Sequence, residues 1–290
     1  MARKFQSPRC RRADIPFVFR ALAAPVVFFA PFWADFSLPA FAVFLVVAFA
    51  VIGDANYVLH WHTHRPFTTS RACNLLLDLC LGATTGVTAS NWRIQHVFGH
   101  HFGADARFCD TSVSMREGYS PRRALAFCLR SFWPSIFGPF REAFEKGVLA
   151  SVKSPLDYRW AFVEQCLLVA LIAALLAWRP GLTLFYLLPW YACVFLVSRY
   201  VDYLNHYGCG EAGGDPLEVA NNTSHAFFNF MTGNFGWHTA HHLYPRAHWT
   251  KLPAIHRRIA RGVPAPCLKD FSWSILCAPQ HVFLARKGRM

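Results

Sequence analysis

Fourteen histidines stand among 290 residues, about one position in twenty, and nine of them fall into four groups. His60 and His64 sit in HWHTH, and His96, His100 and His101 in HVFGHH. His206 stands by itself in VDYLNHYG, and His238, His241 and His242 lie in HTAHH. On an α-helix, positions four apart share a face, so His60 and His64 can address one metal ion. His238, His241 and His242 stand at i, i+3 and i+4, again one face. His96 and His100 repeat the spacing, with His101 turned about 100° aside, toward a neighbouring ion. His62 points away from both of its neighbours. An isolated histidine is usually a satisfied core group, but two three-histidine patterns in one chain exceed chance. Imidazoles gathered at a membrane boundary are also costly to bury without partners, and a shared metal supplies them.

Nine imidazoles exceed the four ligands that one zinc takes, and two ions with four or five each fit the count. The all-nitrogen set suits Zn, Cu, Fe or Ni and argues against Mg or Ca. The residue after His60 is Trp61, so the H-E-x-x-H of a zinc protease is absent. Haem held by two imidazoles needs single histidines on facing spans, not clusters at one end. A pair of redox-active irons fits best. Asp54, Asp105, Asp110, Asp202 and Glu218 lie near the groups and are candidates to accept from the second ring nitrogens. His225, His248, His256 and His281 read as surface or supporting groups rather than ligands.

The elements that must position these residues are apolar. The chain is 54% hydrophobic and 16% charged with a mean hydropathy of +0.24, where ordinary soluble domains carry roughly 25% charged residues. With 28 Phe, 10 Trp and 9 Tyr it is far from a disordered composition, and no fixed-period repeat is present. The net charge of +13 forms no single basic stripe, which excludes nucleic acid as the partner. Four stretches approach the ~20 apolar residues of a membrane-spanning helix, at 15–34, 38–59, 160–178 and 181–200. A turn around Asp35, Ser37 and Pro39 joins the first pair, and Arg179, Pro180 and Gly181 break the second. The fold expected is therefore all-α and integral to the membrane, with four transmembrane helices in two hairpins.

The loop from Arg65 to Arg159 carries a dozen Lys and Arg, and the tail after Val201 nine more. By the positive-inside bias both termini and the histidine-rich cap are cytoplasmic. A single domain over 1–290 is expected: a tail (1–14), a first hairpin (15–59), a cytoplasmic and interfacial region (60–159), a second hairpin (160–200) and a cytoplasmic region (201–290). The basic N-terminus (Arg3, Lys4, Arg9, Arg11, Arg12) reads as a retained tail rather than a signal peptide. Residues 72–90 turn from Leu-rich to Gly- and Thr-rich and read as re-entrant or interfacial, and 122–140 as an amphipathic surface helix. Arg20 is expected to snorkel. The ten cysteines contain no C-x-x-C pair, so free thiols are expected and a fused rubredoxin or zinc ribbon is excluded. Asn221-Asn222-Thr223 is a glycosylation pattern that a cytoplasmic location leaves unmodified.

His60-x3-His64, His96-x3-His100-His101 and His238-x2-His241-His242, in this order, resemble the three histidine boxes of the membrane fatty-acid desaturase/hydroxylase superfamily. HTAHHLYP is similar to the third box of acyl desaturases, and the NHYG around His206 to the extra histidine motif of membrane alkane hydroxylases. The resemblance covers roughly residues 15 to 256. It implies a four-helix stem and a cytoplasmic cap holding a nonhaem diiron centre, with all nine grouped histidines on iron. Acyl desaturases often carry an Asn one turn before the extra histidine, bound through water; here Asp202 stands there, a departure from that pattern. The implied reaction is dioxygen-dependent oxidation of an aliphatic acyl chain, foremost fatty-acid desaturation. Hydroxylation, or oxidative decarboxylation to a terminal alkene, is the alternative on the same centre. A membrane metal carrier or haem electron-transfer protein is the non-enzymatic alternative. Implied partners are a fatty acyl or alkyl substrate, membrane lipid and a separate ferredoxin, rubredoxin or reductase, because no haem, rubredoxin or flavin motif is fused. Arg257, Arg258 and Arg261 could meet either that donor or anionic lipid.

Overall fold

The computed structural model describes residues 8–101, 118–209 and 215–269. Asp105, Asp110 and His281 lie outside the described residues. Helices dominate: α1 (Pro8–Phe28), α2 (Ala30–Trp33), α3 (Leu38–Ile52), α4 (Ala55–His64), α5 (Arg71–Thr85) and α6 (Ala89–Trp92), which runs into a π-helical segment, Arg93–His101. There follow α7 (Pro121–Ala143), α8 (Tyr158–Trp178), α9 (Pro180–Leu182), α10 (Leu188–His206), α11 (Ala226–Thr232), α12 (His238–Leu243) and α13 (Leu252–Ile259). Among the described residues the only strands are β1 (Asn222–Thr223) and β2 (Leu268–Lys269), which pair in parallel.

Among the described residues, four helical stretches are long and apolar enough to cross a membrane: Arg12–Trp33, Leu38–His64, Tyr158–Trp178 and Pro180–His206. The second and fourth outrun the expected 38–59 and 181–200, reaching 27 residues each. His60, His64 and His206 therefore ride on the spanning helices themselves, not on loops beyond them. Large apolar side chains face outward along these stretches, among them Val46, Phe49, Val169 and Phe185. Hydrocarbon, not water, is the solvent that such a surface fits.

The chain divides into two compact units. One comprises Arg11–Phe98 and Trp133–Leu196. In it Phe28, Phe32, Ala48, Ile52, Tyr186, Leu187 and Tyr191 form the core, and the Tyr186 hydroxyl donates to the Phe28 carbonyl at 2.8 Å. Ala34 and Ser37 adopt extended backbone between α2 and α3. Arg179 leaves helical geometry between α8 and α9. The two turns lie together, as Arg179 pairs with Asp35 at 3.5 Å and the Trp33 and Trp178 rings are 4.9 Å apart. That exposed ion pair contributes little; the indoles suit the membrane–water interface.

In the same unit α5 and the helix from Ala89 meet at 89°, so this stretch is not a straight fifth span. Gly86 makes the bend, with φ of 73°, and the Tyr191 ring sits where its Cβ would be. Only glycine takes that backbone and that approach at no cost. Arg20, expected to snorkel, instead holds the Asp54 carboxylate.

The other unit draws its described residues from Met1–Cys10, Gly99–Phe132 and Val197–Met290. Ala124, Phe127, Tyr203, Leu204 and Tyr207 form its main core, and Cys209, Val263 and Cys267 a smaller one. Helix α7 exposes Leu125, Leu129, Trp133 and Phe137 at four-residue intervals, the apolar stripe of an interfacial helix. Cys73, Cys80, Cys128, Cys166, Cys193, Cys209 and Cys267 are free thiols, as expected.

Candidate metal centre

In the first unit, α4 delivers His60 and His64 and the π-helical segment delivers His96. One nitrogen of each lies within 4.8 Å of the others. The three rings stand 4.6–5.1 Å apart, all buried. Trp61 meets the His60 ring edge-on at 4.7 Å, and Trp92 stacks on His96 at 5.2 Å. These indoles wall the group with apolar surface.

The helix carrying His96 starts inside the protein, so its first N–H groups need acceptors. The Thr88 hydroxyl accepts from Asn91 N at 3.1 Å. The Glu164 carboxylate on α8 accepts from Ala89 N and Ser90 N, each at 3.1 Å.

In the second unit His100, His206, His238 and His242 converge. Nε2 of His238 lies 3.3 Å from Nε2 of His206 and 3.2 Å from Nε2 of His242, which is in turn 3.2 Å from Nε2 of His100. A ring nitrogen has one in-plane direction, holding either a proton or a lone pair. The nitrogens of His238 and His242 each approach two others, so hydrogen bonding cannot satisfy every contact. Lone pairs aimed at a shared cation can. Ligands at the ~2.1 Å of a metal–imidazole bond stand roughly 3.0–3.4 Å apart around octahedral or tetrahedral ions, and the observed spacing falls in that range. The donor set therefore fits a metal, with borderline character suited to iron among others. His101 lies against His241 at 4.5 Å and His242 at 4.4 Å between ring centres.

Two spacing arguments need correcting. His96 and His100 were expected to serve one ion from one face; the helix there is π rather than α, and the two histidines join different groups. His238 and His242 converge, but His241 turns to His101. Sequence spacing decides which face a side chain occupies, whereas convergence depends on partners from other elements.

Of the carboxylates singled out, Asp202 lies on α10 one turn before His206. Its Oδ1 is 3.8 Å from His206 Nε2 and its Oδ2 3.7 Å from buried Arg199. Asp54 is engaged with Arg20, and the Glu218 side chain is exposed. The neighbouring backbone does what Glu218 was expected to do: His206 Nδ1 donates to the Val219 carbonyl at 2.9 Å. That bond leaves the Nε2 lone pair facing the group.

His225 and His248 cap α11 and the turn at Trp249, accepting from Phe228 N and Thr250 N at 3.3 Å. His256 is buried against Trp237, with rings 4.4 Å apart, and burial lowers its pKa to about 4. His248 and His256 are thus interior supports, not surface groups.

Three supporting residues escaped the sequence reading. Asp78 and Glu164 are buried charges inside apolar runs, LLLDLCL and AFVEQCLL, and that placement is itself a signal of function. Asn222 gave no such signal; it holds the first turn of α12 through Thr239. The glycosylation pattern has a structural explanation, since Asn221 is buried and donates to the Leu204 and Tyr207 carbonyls at 2.9 Å.

Fold and site together define a helical membrane protein with buried imidazoles arranged to bind metal. Residues 36–273 match the family described as fatty acid desaturase, and the chain belongs to that family. No match to it was found among curated proteins. Membership makes the chain a metal-binding membrane oxidoreductase of acyl chains.

Proposed function

We propose that the chain uses dioxygen to desaturate a fatty acyl chain at two iron ions held by His60, His64, His96, His100, His101, His206, His238, His241 and His242. The observation that carries this reading is the set of Nε2 atoms 3.2–3.3 Å apart from His100, His206, His238 and His242, which hydrogen bonding leaves unexplained. Bound iron supplies the oxidising power toward an unactivated C–H bond that no side chain possesses. The protein holds and orients. The Val219 carbonyl sets the His206 tautomer, Asp202 offers a carboxylate beside the same ring, and Trp61 and Trp92 exclude water around His60 and His96.

Electrons come from a separate ferredoxin, rubredoxin or reductase. Arg257, Arg258 and Arg261 are exposed on and just after α13, available to an acidic donor. Their charge, with the other basic residues outside the spans, supports a cytoplasmic side for both termini and the histidines by the positive-inside bias.

The test feeds deuterated fatty acids to cells expressing the chain and profiles products by mass spectrometry. A new double bond is expected. An alcohol or a lost carboxyl carbon would instead make the chain a hydroxylase or a decarboxylase on the same histidines. His100→Ala should abolish the product, and a wild-type yield from that variant would sink the metal assignment. In purified protein, His60→Ala and His206→Ala should each lower the iron content from about two per chain to about one, if each group holds one ion.

A further inference from the structure

Of the three histidines in HWHTH, His62 is the one that the metal reading leaves over. It is fully buried on α4 between His60 and His64, facing away from both. Its Nδ1 accepts from Phe67 N at 3.3 Å, so Nε2 carries the proton. The Asn74 carbonyl and Asp78 Oδ1, each 3.3 Å from Nε2, are the acceptors within its reach. Asp78, buried on α5, also accepts through both carboxylate oxygens from one guanidinium nitrogen: Arg93 Nη2 lies 2.9 Å from Oδ1 and 3.0 Å from Oδ2. Arg93 is the first residue of the π-helical segment, three positions before His96.

One carboxylate therefore touches the helix bearing His60 and His64 through His62, and the helix bearing His96 through Arg93. A buried ion pair is a poor source of net stability, because desolvation offsets the attraction. Its directional bonds can still fix two elements in register. We propose that Asp78 is a positioning residue that sets the mutual geometry of His60, His64 and His96. This rests on the metal reading above. Residues that orient ligands from behind typically change metal affinity by about 10- to 100-fold when replaced.

The experiment titrates Co(II) into the purified, metal-free full chain in detergent, following the ligand-field bands. Wild type is expected to bind two ions. Asp78→Asn should bind one of them 10- to 100-fold more weakly and the other with wild-type affinity. A merely structural role would lower the thermal stability of the metal-free chain without singling out one ion. His62→Leu and Arg93→Gln each cut one arm and must weaken that same ion, which keeps the test open if Asp78→Asn does not fold. Unchanged affinities, or equal weakening of both ions, would overturn the proposal. A wild-type chain that takes up no ion would overturn the metal centre itself.

Discussion

The first turn of α12 depends on a residue distant in sequence. Trp237, at its N-cap, makes no side-chain hydrogen bond to the helix. Asn222 supplies the acceptor: its Oδ1 takes the Thr239 N–H at 3.0 Å, while its Nδ2 donates to Thr239 Oγ1 at 2.7 Å and to the Ala220 carbonyl at 3.1 Å. Thr239 Oγ1 in turn donates to the Ala220 carbonyl at 2.9 Å. Both side chains are buried. Asn222→Ala deletes these three bonds and a longer one, from Nδ2 to the Cys267 carbonyl at 3.4 Å, and strands a buried N–H, at a net ~1 kcal/mol per bond and ~1–3 kcal/mol for the orphan. With partial relaxation the expected loss is about 2–4 kcal/mol, or roughly 30- to 1,000-fold in the folding equilibrium. Urea unfolding of the detergent-solubilised chain, followed by tryptophan fluorescence, reads this directly. Thr239→Val and the double variant complete a cycle whose coupling should be about 0.5–3 kcal/mol. An Asn222→Ala midpoint matching wild type, or a coupling indistinguishable from zero, would refute the reasoning.

Gly86→Ala should destabilise by about 2–4 kcal/mol, combining a left-handed backbone with overlap onto the Tyr191 ring; an unfolding midpoint equal to wild type would contradict the close packing at the bend. His256 imposes a pH dependence of definite sign. Its folded pKa of about 4 lies below the ~6.5 of an unfolded imidazole. Between those values the unfolded chain binds more protons. The stability tied to a neutral His256 is therefore intact above about pH 6.5 and is lost as the pH falls toward 4. His256→Leu should flatten this slope in unfolding measured from neutral to acid pH, and parallel curves for the two proteins would rule it out.

Much of the architecture is legible in the residues. The apolar runs and the breaks at Pro39 and Pro180 anticipate four spans and two turns, and the change from Leu-rich to Gly- and Thr-rich after Leu81 anticipates the bend at Gly86. The helix ends were less legible. Histidines are polar, so hydropathy stops at residues 59 and 200, yet backbone hydrogen bonding carries the helices on to His64 and His206. Proximity along the chain puts Asp54 and Glu218 beside Asp202 among the candidate supporting carboxylates. In space Asp54 answers Arg20, and Asp78 answers Arg93 and His62.

From the order of residues alone come the membrane class, the helical spans and the histidines whose spacing suits metal. Hydrophobicity and helical periodicity are local properties, summed over one or two turns, so no partner need be known to read them. Which imidazoles converge is a different kind of fact. His100 meets His206, His238 and His242 across more than a hundred residues, and His96, a turn earlier, joins His60 and His64. Each side chain's direction is settled by packing and hydrogen bonds from other elements, such as the Val219 carbonyl behind His206. Only the folded chain brings those elements together.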